Sequence, residues 1–313
     1  MTIPLPDRSG IATEKRNPRS MNLHRLSISE CVTLINEEDR SVPLALERAR
    51  PSLVSLIGDI EPRFGAGGRL IYLGAGTSGR LGVLDASEAP PTFQIEPGRI
   101  VGLIAGGDTA LRKSSEGKED DPNGAATDLA ALALTPNDTL LGIAAGGTTP
   151  FVLGALGLAK RTSARPGAGP SDSPLTGLLV CSPMPKPPHA DHLIILDTGP
   201  EILTGSTRMK AGTATKLALN TISTTLMVRT GRVFQNLMVD VRATNNKLTD
   251  RAARIIATLT GLARDESLAL LDRAGGAVKT AVVMHSRAVP RGEAESLLQR
   301  HGGRLDAVLG GNS

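Results

Sequence analysis

The sequence contains no tryptophan, one tyrosine and four phenylalanines in 313 residues. Aromatic platforms for stacking bases are therefore scarce, and a formal charge of +4 does not read as a nucleic-acid interface. Basic and acidic residues are interspersed, which suits a mildly basic enzyme with an anionic small substrate equally well. Cysteine is nearly absent too. Cys31 and Cys181 lie far apart and form neither a disulfide framework nor the paired spacing of a zinc site, so the chain is expected in a reducing, cytoplasmic setting. No apolar run approaches a membrane span, and the first residues carry no apolar segment of the signal-peptide kind. A soluble, unprocessed protein without membrane or nucleic-acid partners is the expectation.

The length suits one α/β domain and a smaller appendage. Residues 1–20 are polar and read as an arm. Residues 29–60 space apolar positions at helical intervals, with Pro43 and Pro51 as candidate helix starts, so two or three amphipathic helices should precede the first strand. Short continuous apolar runs follow at 69–76, 99–107, 138–147, 176–182 and 191–198. Runs of this kind suit strands buried on both faces, hence a five-stranded parallel sheet flanked by helices. Residues 163–174, rich in proline, glycine and serine, read as an exposed loop. Residues 205–231 read as one long helix stopped by Gly231, and short helical pieces follow from about residue 250.

Three turns carry small and hydroxyl residues where a strand meets a helix. In Gly74-Ala75-Gly76-Thr77-Ser78-Gly79-Arg80, backbone N–H groups and the two hydroxyls can converge on an anion, and phosphate is the natural guest. The same letters fit a dinucleotide fingerprint or a tight turn without ligand. A dinucleotide site also wants an acid at the end of the second strand, where Ala105-Gly106-Gly107 stands. The second turn is Ala145-Gly146-Gly147-Thr148-Thr149-Pro150, and the third is Gly205-Ser206-Thr207-Arg208-Met209-Lys210. Their candidate phosphate and substrate contacts are Gly76, Thr77, Ser78, Gly79, Gly147, Thr148, Thr149, Ser206, Thr207, Arg208 and Lys210. Ordinary helix capping, and a solvated face for Arg208 and Lys210, remain open. Read alone, Glu88 is a helix acid and Glu119, within Glu116-Gly117-Lys118-Glu119-Asp120-Asp121, part of a solvated acidic loop.

The stretches LIYLGAGTSGRLGVLDASEAPPTF (70–93), EGKEDD (116–121), EILTGSTRMKAGTATKLALN (201–220) and NLMVDVRATNNKL (236–248) closely resemble the N-acetylmuramic acid 6-phosphate etherases of the sugar isomerase (SIS) superfamily. The resemblance runs from about residue 10 to the end of the chain. It implies a three-layer α-β-α SIS domain over 21–248 with N-terminal helices, and a small helical region over 249–313 like ubiquitin-associated domains. It also implies a homodimer with active sites near the subunit interface, and elimination of D-lactate from the sugar followed by hydration, with no metal or other cofactor. The family's two functional glutamates fall on Glu88 and Glu119. Carboxyls suit this chemistry: a carboxylate removes the C2 proton acidified by an open-chain aldehyde, and a neutral carboxyl protonates the departing ether oxygen. Glu119 takes the first role and Glu88 the second.

This chain departs from the family at Ala145-Gly146-Gly147-Thr148-Thr149-Pro150, where Ala-Ser-Gly-Arg-Thr-Pro is usual, losing a serine hydroxyl and a guanidinium. Ala89 replaces a usual cysteine, and residues 160–190 are longer and richer in proline. The competing readings are an aldose–ketose sugar-phosphate isomerase and a sugar-phosphate-binding regulator without turnover, both of the same superfamily.

Overall fold

Continuous apolar runs pair side by side when both faces of a sheet are covered, because no polar face is needed. β1 (Leu70–Gly74), β2 (Ile100–Ile104), β3 (Thr139–Ile143), β4 (Leu175–Val180) and β5 (His192–Ile195) form one sheet in the order β2-β1-β3-β4-β5. All four pairings are parallel, and every residue of β1, β3 and β4 is buried. This computed structural model describes residues 7–113, 115–161, 172–241 and 245–310. Most of the loop expected over 163–174 lies outside them. Among the described residues, no helix is long and apolar enough to cross a membrane.

Two helices precede the sheet, α1 (Ile28–Asp39) and α2 (Ser41–Gly65). Ser27 starts α1 through a reciprocal capping box with Glu30. Pro43 sits in the first turn of α2, as expected, but Pro51 lies inside that helix rather than at a start. The buried face of Val42, Ala45, Ala49, Leu53, Leu56, Ile60 and Phe64 continues past it, and this burial outweighs one missing backbone bond. α3 (Gly76–Phe93) follows β1, α4 (Ala126–Leu132) precedes β3, and α5 (Pro150–Arg161) opens directly on its proline after β3. Phe151, Val152, Ala155 and Leu156 of α5 pack on Ile71, Leu73, Leu140 and Leu178 of the sheet.

The chain divides into two compact units, Met1–Ser87 with Gly98–Ser223, and Glu88–Pro97 with Thr224–Ser313. In the first, the strand order reverses between β1 and β3, and this is where open parallel sheets leave a crevice at their carboxyl ends. The second holds a hairpin of β6 (Val233–Phe234) and β7 (Leu237–Met238), which the sequence did not suggest. Its turn contains Gln235 at φ 54°, a conformation that the residue type does not advertise. Among the described residues, five helices complete that unit: α7 (Asn246–Thr260), α8 (Arg264–Arg273), α9 (Val278–Arg287), α10 (Arg291–Arg300) and α11 (Leu305–Leu309). Ile256, Leu271, Val282, Val283 and Leu305 form its core.

The long helix expected over 205–231 is shorter at its start: α6 spans Lys210–Arg229. Ser206 N–H bonds to Leu203 O and Met209 N–H to Ser206 O, which turns the chain before the helix. The fully buried Glu201 then accepts from Lys210 N–H at 3.0 Å and Ala211 N–H at 2.9 Å. A carboxyl from outside the helix thus satisfies its first donors. Gly231 follows the end of α6 at φ 76°.

Candidate active site

β1 and β3 are neighbours, with Gly74 opposite Ile143, so the first and second turns leave the sheet side by side. Gly74 and Gly79 nearly touch: a methyl group on Gly79 would lie 2.6 Å from Gly74 O. Only glycine lets the helix fold back this tightly on the strand. At Gly76, φ is 51° and a methyl group would lie 3.2 Å from Glu119 Oε1, so the Glu119 carboxyl stands over the first turn of α3. The main chain of Glu119 is fixed as well, its carbonyl accepting from Phe151 N–H at 3.0 Å. One residue thereby joins the first turn to the helix that follows the second.

The third turn reaches the same place. A methyl group on Gly212, in the first turn of α6, would lie 3.4 Å from Thr77 Cγ2 and 3.3 Å from Thr207 O. The hydroxyls of Thr77, Ser78, Thr149, Ser206 and Thr207 are half-buried and make no hydrogen bond among the described residues; Thr148 is exposed. The structure thus brings Gly76, Thr77, Ser78, Gly79, Glu119 and Thr207 together. In the second turn, Gly147 is covered by the Met184 sulfur, and Gly146 lies against Ile11.

Glu119 is half-buried. Burial raises its carboxyl above the ordinary glutamate value, Asp120 and Glu116 add to the rise, and Arg8 and Arg80 oppose it. Arg80 also donates to Ala110 O at 2.7 Å and Leu111 O at 3.1 Å, which ties down the chain on the way to Glu119. The outcome is a carboxylate made more basic, beside free hydroxyls and backbone donors.

Lys210, assigned to phosphate from the sequence, is 3% exposed, and its ammonium donates to Glu38 Oε2 at 2.7 Å. Asn17 donates to the same oxygen at 2.8 Å and Arg19 to the other at 2.9 Å. Arg208 is exposed. Glu88 is exposed and belongs to the second unit.

Sequence reasoning missed the arm's part in this region. Ala12 N–H donates to Ser182 Oγ at 2.9 Å, Gly205 N–H donates to Thr13 O at 3.1 Å, and Glu14 stands over Gly205. The arm is laid across the ends of the strands, with Thr13 fully buried and Arg8 acting on Glu119. Its anchors are backbone groups and short polar side chains, which leave no apolar periodicity to read. Cys181 offers no nucleophile, since burial pushes its thiol up to about 12.

A parallel sheet with hydroxyl-bearing turns at its switch point defines a doubly wound α/β domain of the SIS type, and residues 53–160 match the family model of the glucokinase regulatory protein N-terminal SIS domain. The chain is 50% identical over 300 residues to the N-acetylmuramic acid 6-phosphate etherase of Parasynechococcus marenigrum, covering 96% of this chain and 92% of that protein. The etherases of Serratia proteamaculans and an Exiguobacterium species are each 47% identical over 300 residues, covering 96% of this chain and 98% and 99% of theirs. The chain belongs to the N-acetylmuramic acid 6-phosphate etherase family.

Proposed function

We propose that the chain cleaves the D-lactyl ether of N-acetylmuramic acid 6-phosphate, giving N-acetylglucosamine 6-phosphate and D-lactate, with Glu119 as the base. The observation that carries this reading is the Glu119 carboxyl poised over the α3 turn, 3.2 Å from where a side chain on Gly76 would begin. Phosphate at the Gly76–Gly79 turn, held by N–H groups and the hydroxyls of Thr77 and Ser78, brings the sugar carbons toward that carboxylate. With the ring open, the C1 aldehyde acidifies the C2 proton, and Glu119 removes it. The C3–O bond then breaks, Glu88 protonates the leaving oxygen, and lactate departs from an unsaturated aldehyde. Water adds at C3 as Glu88 takes its proton, and Glu119 returns a proton to C2. Lys210 serves here by positioning the start of α6 through Glu38.

Glu88 enters from a second copy of the chain. The helical rise puts about 18 Å between Gly76 and Glu88 along α3, too far for one helix to present both ends to one sugar ring. A two-fold dimer answers this, since the site at one subunit's turn receives the other's helix end. Exposure of Glu88 in the single chain supports the same reading.

The test is lactate release in oxygen-18 water. The parent is expected to release D-lactate and leave label at C3, and Glu119→Gln to release lactate at least a thousandfold more slowly. A folded parent that releases no lactate would overturn the assignment.

A further inference from the structure

The second unit contains a cavity of about 280 Å³ lined by charged and polar groups that the proposed reaction does not use, among them Arg232, Asp240, Lys279 and Thr280. Asp240 accepts from Lys279 Nζ at 2.8 Å on one oxygen and from Arg232 Nη1 at 3.1 Å on the other. Two cations against one carboxylate leave the lining with a net positive charge. Lys279 Nζ also donates to Gly303 O at 2.7 Å. The ammonium therefore keeps one N–H, and the guanidinium keeps its Nε and Nη2 donors.

α9 begins at this cavity. It is 10 residues long, and Ala277 at its N-cap supplies no side-chain acceptor for the first N–H groups. Thr280, 5% exposed, lines the cavity with a hydroxyl that has no hydrogen-bond partner among the described residues. Backbone donors and a hydroxyl that are unpaired among the described residues thus share one half-open pocket with surplus cationic N–H groups. Such a set is complementary to an oxyanion and to no cation.

We propose that this cavity is a binding site for a small oxyanion, a carboxylate or phosphate group of low charge, separate from the sugar-phosphate turns. The oxygens accept from Val278–Thr280 N–H groups and the Thr280 hydroxyl, and Arg232 closes the site from its exposed side. The assignment does not depend on the reaction proposed above.

The experiment is titration of the full chain with inorganic phosphate and, separately, with acetate, following backbone amide resonances at constant ionic strength set with chloride. Val278, Lys279 and Thr280 amides are expected to shift with at least one of the two anions, and the tighter one identifies the source. Arg232→Gln should weaken that titration about tenfold. Thr280→Val, which keeps the volume, should weaken it severalfold. Shifts confined to Thr77–Gly79, equal shifts with chloride, or unchanged affinity in both variants would overturn the proposal.

Discussion

Glu119 looks solvated in the sequence because every neighbour from Glu116 to Asp121 is polar or glycine. Two features invisible there place its carboxyl over the first turn: its carbonyl is bonded to Phe151 N–H, and Gly76 leaves the space its carboxyl fills. Burial raises its folded value above the ordinary glutamate value, so in the proposed mechanism protonation switches the base off at a higher pH than for a solvated glutamate. By linkage, this group lowers native stability as pH rises from the unfolded value toward the folded one, where the native state binds more protons. Arg8 favours the ionised carboxyl, so Arg8→Gln should move the acid limb of kcat/KM for lactate release to higher pH. An unmoved limb would exclude Arg8 from the electrostatics of the site. Lys210 shows the reverse limitation. A cation beside a hydroxyl turn looks like a phosphate contact until the fold places Glu38 at 2.7 Å.

The five strands were legible because burial on both faces demands continuous apolar runs, and the first and second glycine turns were legible because their residues belong to strand-to-helix junctions. Less of α6 could be read. Serine, threonine and methionine at 206–209 are compatible with a helix, and what stops it is Glu201, a cap supplied from before the turn. Pro51 misleads for the related reason that tertiary burial carries α2 past a weak local signal. The α3 turn makes a sharp demand of its own. Gly79→Ala would place a methyl group 2.6 Å from both Gly74 O and Ile104 Cγ1. It should destabilise the chain by about 1–3 kcal/mol, seen as a lowered Tm, and raise KM more than it lowers kcat. A Tm equal to that of the parent would mean that the strand and helix are not held so closely.

At the scale of the whole molecule, the proposed dimer makes a prediction that no single chain can satisfy. Glu88→Gln and Glu119→Gln are each expected to be inactive, yet mixing them in equal amounts under exchange conditions should restore about one quarter of the parent rate. Half the dimers would then be mixed, each with one intact pair of glutamates. No recovery, with exchange verified, would place both carboxyls in one chain. The motifs disclosed the family from sequence, but the proposed sharing of a site between copies is not written in any motif. The proposal rests on the length of a helix. Glu201 has a consequence of another sort. A tethered group never dilutes away, so the opening of α6 is satisfied without any bound ligand. That corner of the protein can fold in a cell starved of amino sugars, ready before the first one arrives.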